Sequence, residues 1–378
     1  MLARRFSSRG WLSSGFALAL QLIAATGAAA CPLCYEAARQ METTGQQLDM
    51  ADQVVLAAPV AGRSEFRIVE TVKGQDAPGV IIAEPVVGRD AAAVTCDPCL
   101  LLREPLRSRW ISLGAVRAEQ ADWLRQLATT RLVEGDRPRP TWPVTVQAPV
   151  ELSYAGWRQR IALVLPYLEN PEPLIARIAW GELARAPYAC LDVAKSWTGA
   201  AEVQRWLDDP QLASRHPAYI LLLGFTGGSA DAERLEERLE SAWKTHGTAN
   251  LAAMIGADLE LRGPSRVDWV EAKYFADRSR TMPEIEAALN ALTVHGDANR
   301  TVPRDRVIQA FRAFIKERPP MAGFVASQLA GWDYWDASAD YEGLLNANAI
   351  KDPASEFAVV TYLKRAALAK AAPASTTK

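Results

Sequence analysis

The chain has 378 residues and carries 42 Lys and Arg against 44 Asp and Glu, a formal net charge of −2. That balance supplies no electrostatic footprint for nucleic acid. With 49% hydrophobic, 23% charged and 8% aromatic residues the chain is neither disordered nor a multi-spanning membrane protein, and its length suits about two domains.

Residues 1–30 read as a secretory signal. Arg4, Arg5 and Arg9 form a basic start, residues 11–25 are largely apolar, and Ala28, Ala29 and Ala30 place small side chains before Cys31. The apolar run is shorter than the ~20 residues of a spanning helix, and no charge flanks its far side. Removal takes away three arginines and leaves a mildly acidic chain that is expected to be exported, periplasmic or secreted. Cleavage would leave Cys31 at the new N-terminus, as in bacterial lipoproteins, although Ala28 stands where their processing signal usually has Leu. A lipid on Cys31 is the one route to a membrane that this reading contains.

Four of the five cysteines form two close pairs, Cys31 and Cys34 in CPLC and Cys96 and Cys99 in CDPC. Two CxxC units match the ligand count of an all-cysteine zinc site, or a copper site, but 61 residues separate the units and an oxidising compartment favours disulfides. Structural disulfides, metal binding and thiol–disulfide exchange therefore stay open as alternatives. Residues 94–100 resemble the CxPC active site of thioredoxin-like proteins, over about ten residues and without the surrounding βαβ alternation on which that chemistry depends. Tyr35 and Leu100 follow the two motifs where c-type haem attachment needs His. Cys190 stands alone in a helical segment and reads as a small buried hydrophobe.

From 31 to 130 the pattern is β-rich. Short apolar or alternating runs at 54–58, 66–72, 79–83 and 110–113 predict four or five strands, separated by turn residues at 61–64, 73–76 and 88–90. A small antiparallel sheet or OB-like barrel is expected. The order of a cysteine pair, a strand like 51–56 and a strand like 66–74 resembles the netrin-module type of OB barrel, which carries no function with it. Residues 115–130 predict a closing helix. Pro138, Pro140, Pro143 and Pro149 then make 131–150 a stiff linker.

Beyond the linker, residues 151–371 read as helices and 372–378 as a tail. The plainest unit is a helix at 157–168, a break at Glu169, Asn170, Pro171, Glu172 and Pro173, and a second helix at 174–184. On Leu165, Pro166, Tyr167, Leu168, the turn prolines, Leu174, Ile175, Ala176, Ala179 and Leu183 this unit resembles HEAT-type repeats. Second helices are expected to begin near Pro173, Pro217, Gly247, Met282, Pro320 and Pro353, roughly 36 residues apart, a solenoid period. The fold class is thus α+β, mainly α: a small sheet or barrel, then a HEAT-like α-solenoid. The whole arrangement also resembles a group of uncharacterised exported bacterial proteins with an N-terminal CPxC motif, most clearly at 165–187 and 328–336, a resemblance that implies no activity.

Catalytic signatures are scarce. His216, His246 and His295 lie far apart in sequence, no HExxH motif occurs, and no glycine-rich phosphate loop is present. Residues 224–228, Gly-Phe-Thr-Gly-Gly, follow an apolar helix and read as its stop. The most unusual local composition is Trp332, Asp333, Tyr334, Trp335 and Asp336, with Asp340 and Glu342 beyond. Acidic groups beside aromatics suit peptide recognition or sugar stacking, and paired carboxylates suit glycoside hydrolysis. As structure, the two tryptophans pack into the next helical pair and the aspartates cap helices. Glu233, Glu236, Glu237 and Glu240 read as a solvated helix face. The expectation is an exported envelope scaffold that binds a protein or peptide partner through its helical surface. A cysteine-based metal or redox protein is the alternative, and a carbohydrate-processing enzyme using Asp333, Asp336 or Glu342 the weaker one.

Overall fold

The computed structural model describes residues 43–88, 97–103, 109–129 and 152–371. The expected signal, Cys31, Cys34, Cys96, the linker 131–150 and the tail 372–378 lie outside the described residues.

Helix α1 (Thr44–Met50) opens on a reciprocal capping box, in which Thr43 Oγ1 accepts from the Gln46 amide while Gln46 Oε1 accepts from that of Thr43. Six strands follow: β1 (Gln53–Pro59), β2 (Phe66–Lys73), β3 (Ile81–Ile82), β4 (Val86–Gly88), β5 (Cys99–Arg103) and β6 (Trp110–Ala115). They pair in the order β3-β2-β1-β5-β6-β4, antiparallel except for β4 on β6. The two strands outside the expected runs are β4 and β5. In β5, Leu100, Leu101 and Leu102 are all buried, so the strand has no polar face to give it the alternation of a half-buried strand.

The sheet curls into a half-barrel. Its inner side holds Val55, Ala57, Phe66, Ile68, Ile82, Cys99, Leu101 and Trp110, while Val54, Leu56, Leu100 and Leu102 point the other way. That second side joins α2 (Ala121–Thr129), α3 (Tyr154–Val164) and α4 (Pro173–Arg185) in one continuous apolar cluster. Trp123 of α2 donates from Nε1 to the Leu163 carbonyl (3.0 Å) and stacks on Tyr167, and Arg117 pairs with Glu172. A buried ionic group adds to the junction: Asp49 from α1, Arg160 from α3, and Glu182 and Arg185 from α4.

The remaining helices are α5 (Ala200–Asp208), α6 (His216–Thr226), α7 (Ser229–Thr245), α8 (Leu251–Arg262), α9 (Arg266–Val270), α10 (Met282–Ala298), α11 (Arg304–Glu317), α12 (Ala326–Gly331), α13 (Ser338–Asn346) and α14 (Pro353–Ala371). Helices α6, α8 and α10 pack side by side as one row, with α5, α7 and α11 laid on them in turn. The expected second helices correspond to α4, α6, α8, α10 and α14; at 320 a 3-10 segment, Pro319–Val325, leads into α12 instead. Proline occupies the first or second helical position of α4, α6 and α10, where its missing N–H costs nothing. The fold is α+β, mainly α, with the small curled sheet first and the helices after it.

Candidate functional surfaces

The segment Trp332 to Asp336 divides between core and surface. Trp332 is buried, stacks on Phe311 of α11 at 5.6 Å and 8°, and donates from Nε1 to Asp297 Oδ1 (2.8 Å). Trp335 packs the other way, 5.3 Å from Tyr362 of α14 and beneath the Arg365 guanidinium. The two tryptophans thus pack on different helices, joining α11 to α14 rather than both entering one pair. Tyr334 is half-buried; its carbonyl accepts from Tyr362 Oη (2.6 Å), and its hydroxyl lies 3.5 Å from Arg312, which also binds Asp340.

Asp333 and Asp336 are exposed, and neither is the expected helix N-cap: α13 starts after Ala337, with no side-chain cap. Asp333 has φ 55 and ends α12 through its backbone. Its N–H bonds the Ala330 carbonyl and the Tyr334 N–H reaches back to Leu329, the paired bonds of a Schellman turn, where the left-handed residue is usually Gly. Glu342 is exposed as well.

The histidines stay apart in role. His246 meets Glu284 at 3.1 Å at the start of α10, His216 Nε2 is buried without a partner, and His295 is wholly buried in α10. Tyr188 Oη lies 3.5 Å from both Glu260 Oε2 and His295 Nε2. His295 Nε2 donates to the Gly256 carbonyl (2.9 Å), because a carbonyl can only accept. Burial pushes this imidazole down to about 4. Two residues on, burial pushes the Asp297 carboxyl up to about 6, against the bonds from Trp332 and Gln328 and the charge of Arg304.

Cys99 begins β5 and is disulfide-bonded; its neighbours in the two motifs, Cys31, Cys34 and Cys96, lie outside the described residues. Cys190 is free and buried, and burial pushes its thiol up to about 12, out of reach of thiolate chemistry. Among the described residues no group of three or more His, Cys, Asp or Glu could hold a metal ion, and no helix is long and apolar enough to cross a membrane. Glu236 and Glu240, read from sequence as a solvated face, instead pair with Arg262, Arg266 and Lys273 of the next helices. Their interleaving with Arg234 and Arg238 hid those partners, which lie over twenty residues away.

Comparison with family models, with curated proteins and with solved structures finds no match for this chain.

Proposed function

We propose that this is an exported scaffold of the cell envelope, a HEAT-like array that holds a protein or peptide partner, with the turn at 333–336 on its binding surface. The single observation that carries the reading is Asp333. A non-glycine residue at left-handed φ costs about 1 kcal/mol, and glycine would close the same turn without it. A carboxylate held at that cost, exposed beside the half-exposed Tyr334 and Trp335, suits a polar contact to a partner flanked by aromatic anchors. The oxidised state of Cys99 supports an oxidising compartment.

The test uses the mature chain with a photo-reactive side chain at Asp336, cross-linked in intact cells. A discrete adduct is expected, lost in Asp333→Gly and Trp335→Ala while both variants remain folded. An adduct that survives both substitutions would remove this turn from the binding surface. Intact-mass analysis of the same material checks export, since it should begin at Cys31, heavier by a diacylglycerol if that residue is lipidated.

A further inference from the structure

Helix α14 is the last element of the described residues, and no described helix follows to cover its outer side. Its inner side, Ser355, Val359, Tyr362 and Ala366, is buried where it packs on α12, α13 and the 3-10 segment Pro319–Val325. The opposite side carries Phe357 and Leu368, the two most exposed large apolar side chains among the described residues, at 65% and 71%. A helix that ends a stacked array needs a polar outer face to stay in solution, and one that is apolar on both sides is a helix that becomes covered. Phe357 and Leu368 are out of place on a surface that meets only water.

The spacing on this outer side indicates what covers it. Positions 354, 357, 361, 364, 368 and 371 follow one another at alternating steps of three and four residues, the seam of a paired helix. Ala354, Phe357, Lys364, Leu368 and Ala371 are exposed and Thr361 is half-buried. Laid antiparallel on a copy of itself, the seam matches: 354 lies opposite 371, 357 opposite 368, and 361 opposite 364. Alanine then meets alanine at both ends, phenylalanine meets leucine inside them, and the two polar residues meet at the middle. In an isologous interface residue i contacts j and j contacts i, which is the symmetry this seam has and which an unrelated partner does not call for. Antiparallel pairing also sets the helix dipoles in opposition.

We propose that the outer side of α14 pairs with α14 of a second copy of this chain, antiparallel about a two-fold axis that passes between Thr361 and Lys364. The paired face is turned away from Tyr362, which meets Trp335, so self-association stands apart from the partner-binding reading of the turn at 333–336. The helix has 19 residues and is ~28 Å long and ~10 Å wide, so the pair covers on the order of 300 Å² per copy. A standard interface covers about 800 Å² per partner. The association is therefore a weak one, with a dissociation constant on the order of 0.1 mM.

Sedimentation equilibrium of the full mature chain, from about 1 μM to about 1 mM, should show a monomer–dimer equilibrium. Phe357→Gln and Leu368→Gln place a good helix former at an exposed site, and each acts twice in the dimer. Each should weaken association at least about tenfold while the thermal midpoint of the monomer stays put. Lys364→Gln removes like charges that approach each other across the axis and should tighten association about twofold to threefold, a gain that unfolding does not mimic. Register is read by mixing Phe357→Cys and Leu368→Cys chains under mild oxidation. A covalent dimer should form on mixing and not from either variant alone, because each cysteine and its own copy lie ~16 Å apart along the pair. A monomer throughout the concentration range, association indifferent to both glutamine substitutions, or covalent dimers formed equally by either cysteine variant alone would overturn the proposal. So would a monomer that binds phosphatidylcholine vesicles through Phe357, which would assign the face to lipid.

Discussion

His295 and Asp297, two residues apart near the end of α10, oppose each other in their response to pH. The folded-state pKa of His295 is depressed, so the unfolded chain takes up that proton first, and stability from this group is lost as pH falls from 6.5 towards about 4. The folded-state pKa of Asp297 is raised, so its contribution is present below 3.8 and lost as pH rises through about 6. Between about pH 4 and 6 the two slopes largely cancel in the native chain. Asp297→Asn should unmask the histidine, giving a variant that loses about 1–2 kcal/mol between pH 6 and 4.5, whereas His295→Gln should gain stability over the same interval. Urea unfolding at pH 4.5, 5.5 and 7 reads both, and parallel pH profiles for the three proteins would contradict the assignment. Gly296 lies between the two, and a Cβ there would sit 2.4 Å from Trp332 Cη2. Alanine improves helix propensity by about 0.5–1 kcal/mol, but displacing a stacked tryptophan costs about 1–3. Gly296→Ala should therefore lower the thermal midpoint despite the better helix former. Asp333→Gly should do the opposite, raising stability by about 0.5–1 kcal/mol.

At the scale of elements, the sheet is tied to the helices by charge as well as by apolar packing. Asp49, Arg160, Glu182 and Arg185 are almost fully buried, and α1 contributes only Asp49. Removing one partner from such a group leaves a buried charge uncompensated. Asp49→Ala should cost about 3–5 kcal/mol in denaturant unfolding, while a surface pair such as Arg63–Glu65 should change stability by less than about 1 when broken. A cost for Asp49→Ala no larger than for the surface pair would mean that water reaches the junction. The same close fit appears inside α4, where Ala179 is fully buried. Ala179→Asp should prevent folding or leave the chain unfolded at ambient temperature, because neither space nor water exists for the carboxylate. A cooperative circular-dichroism melt with near wild-type midpoint would contradict that packing.

For the whole molecule the decisive fact is one apolar cluster that runs from Leu48 and the outer side of the sheet through α2, α3 and α4 to Tyr362 in α14. The proline-rich sequence at 131–150 suggests two separate cores, yet Trp123, Leu124 and Leu127 are buried in the same cluster as Ile161 and Ile175. A chain beginning at residue 151 uncovers the α3 and α4 surfaces that meet α2 and the sheet. It should keep helical circular dichroism but unfold at a lower denaturant concentration than the full chain; equal midpoints would make the shared cluster energetically unimportant.

The second helices α4, α6, α8, α10 and α14 were legible because proline starts, glycine stops and apolar spacing act within a dozen residues, and β1, β2, β3 and β6 because each falls on an apolar or alternating run. Strand β5 was not, since a strand buried on both faces has no periodicity to display. The aromatic and acidic turn was visible as composition and its tryptophans were expected to pack inward, but their division between α11 and α14 was not. That division depends on Gly296, Asp297 and Phe311, brought to it by helix packing. Local sequence thus determined the order and kind of most elements and the fold class, through backbone propensity and short-range patterning. Only the tertiary structure decided that Tyr188 reaches His295 across 107 residues, that Asp49 joins Arg160 across 111, and that Arg158 and Arg300 share Asp192. These partners are chosen by the stacking of helices, a long-range outcome of burying apolar surface, and no spacing along the chain encodes them.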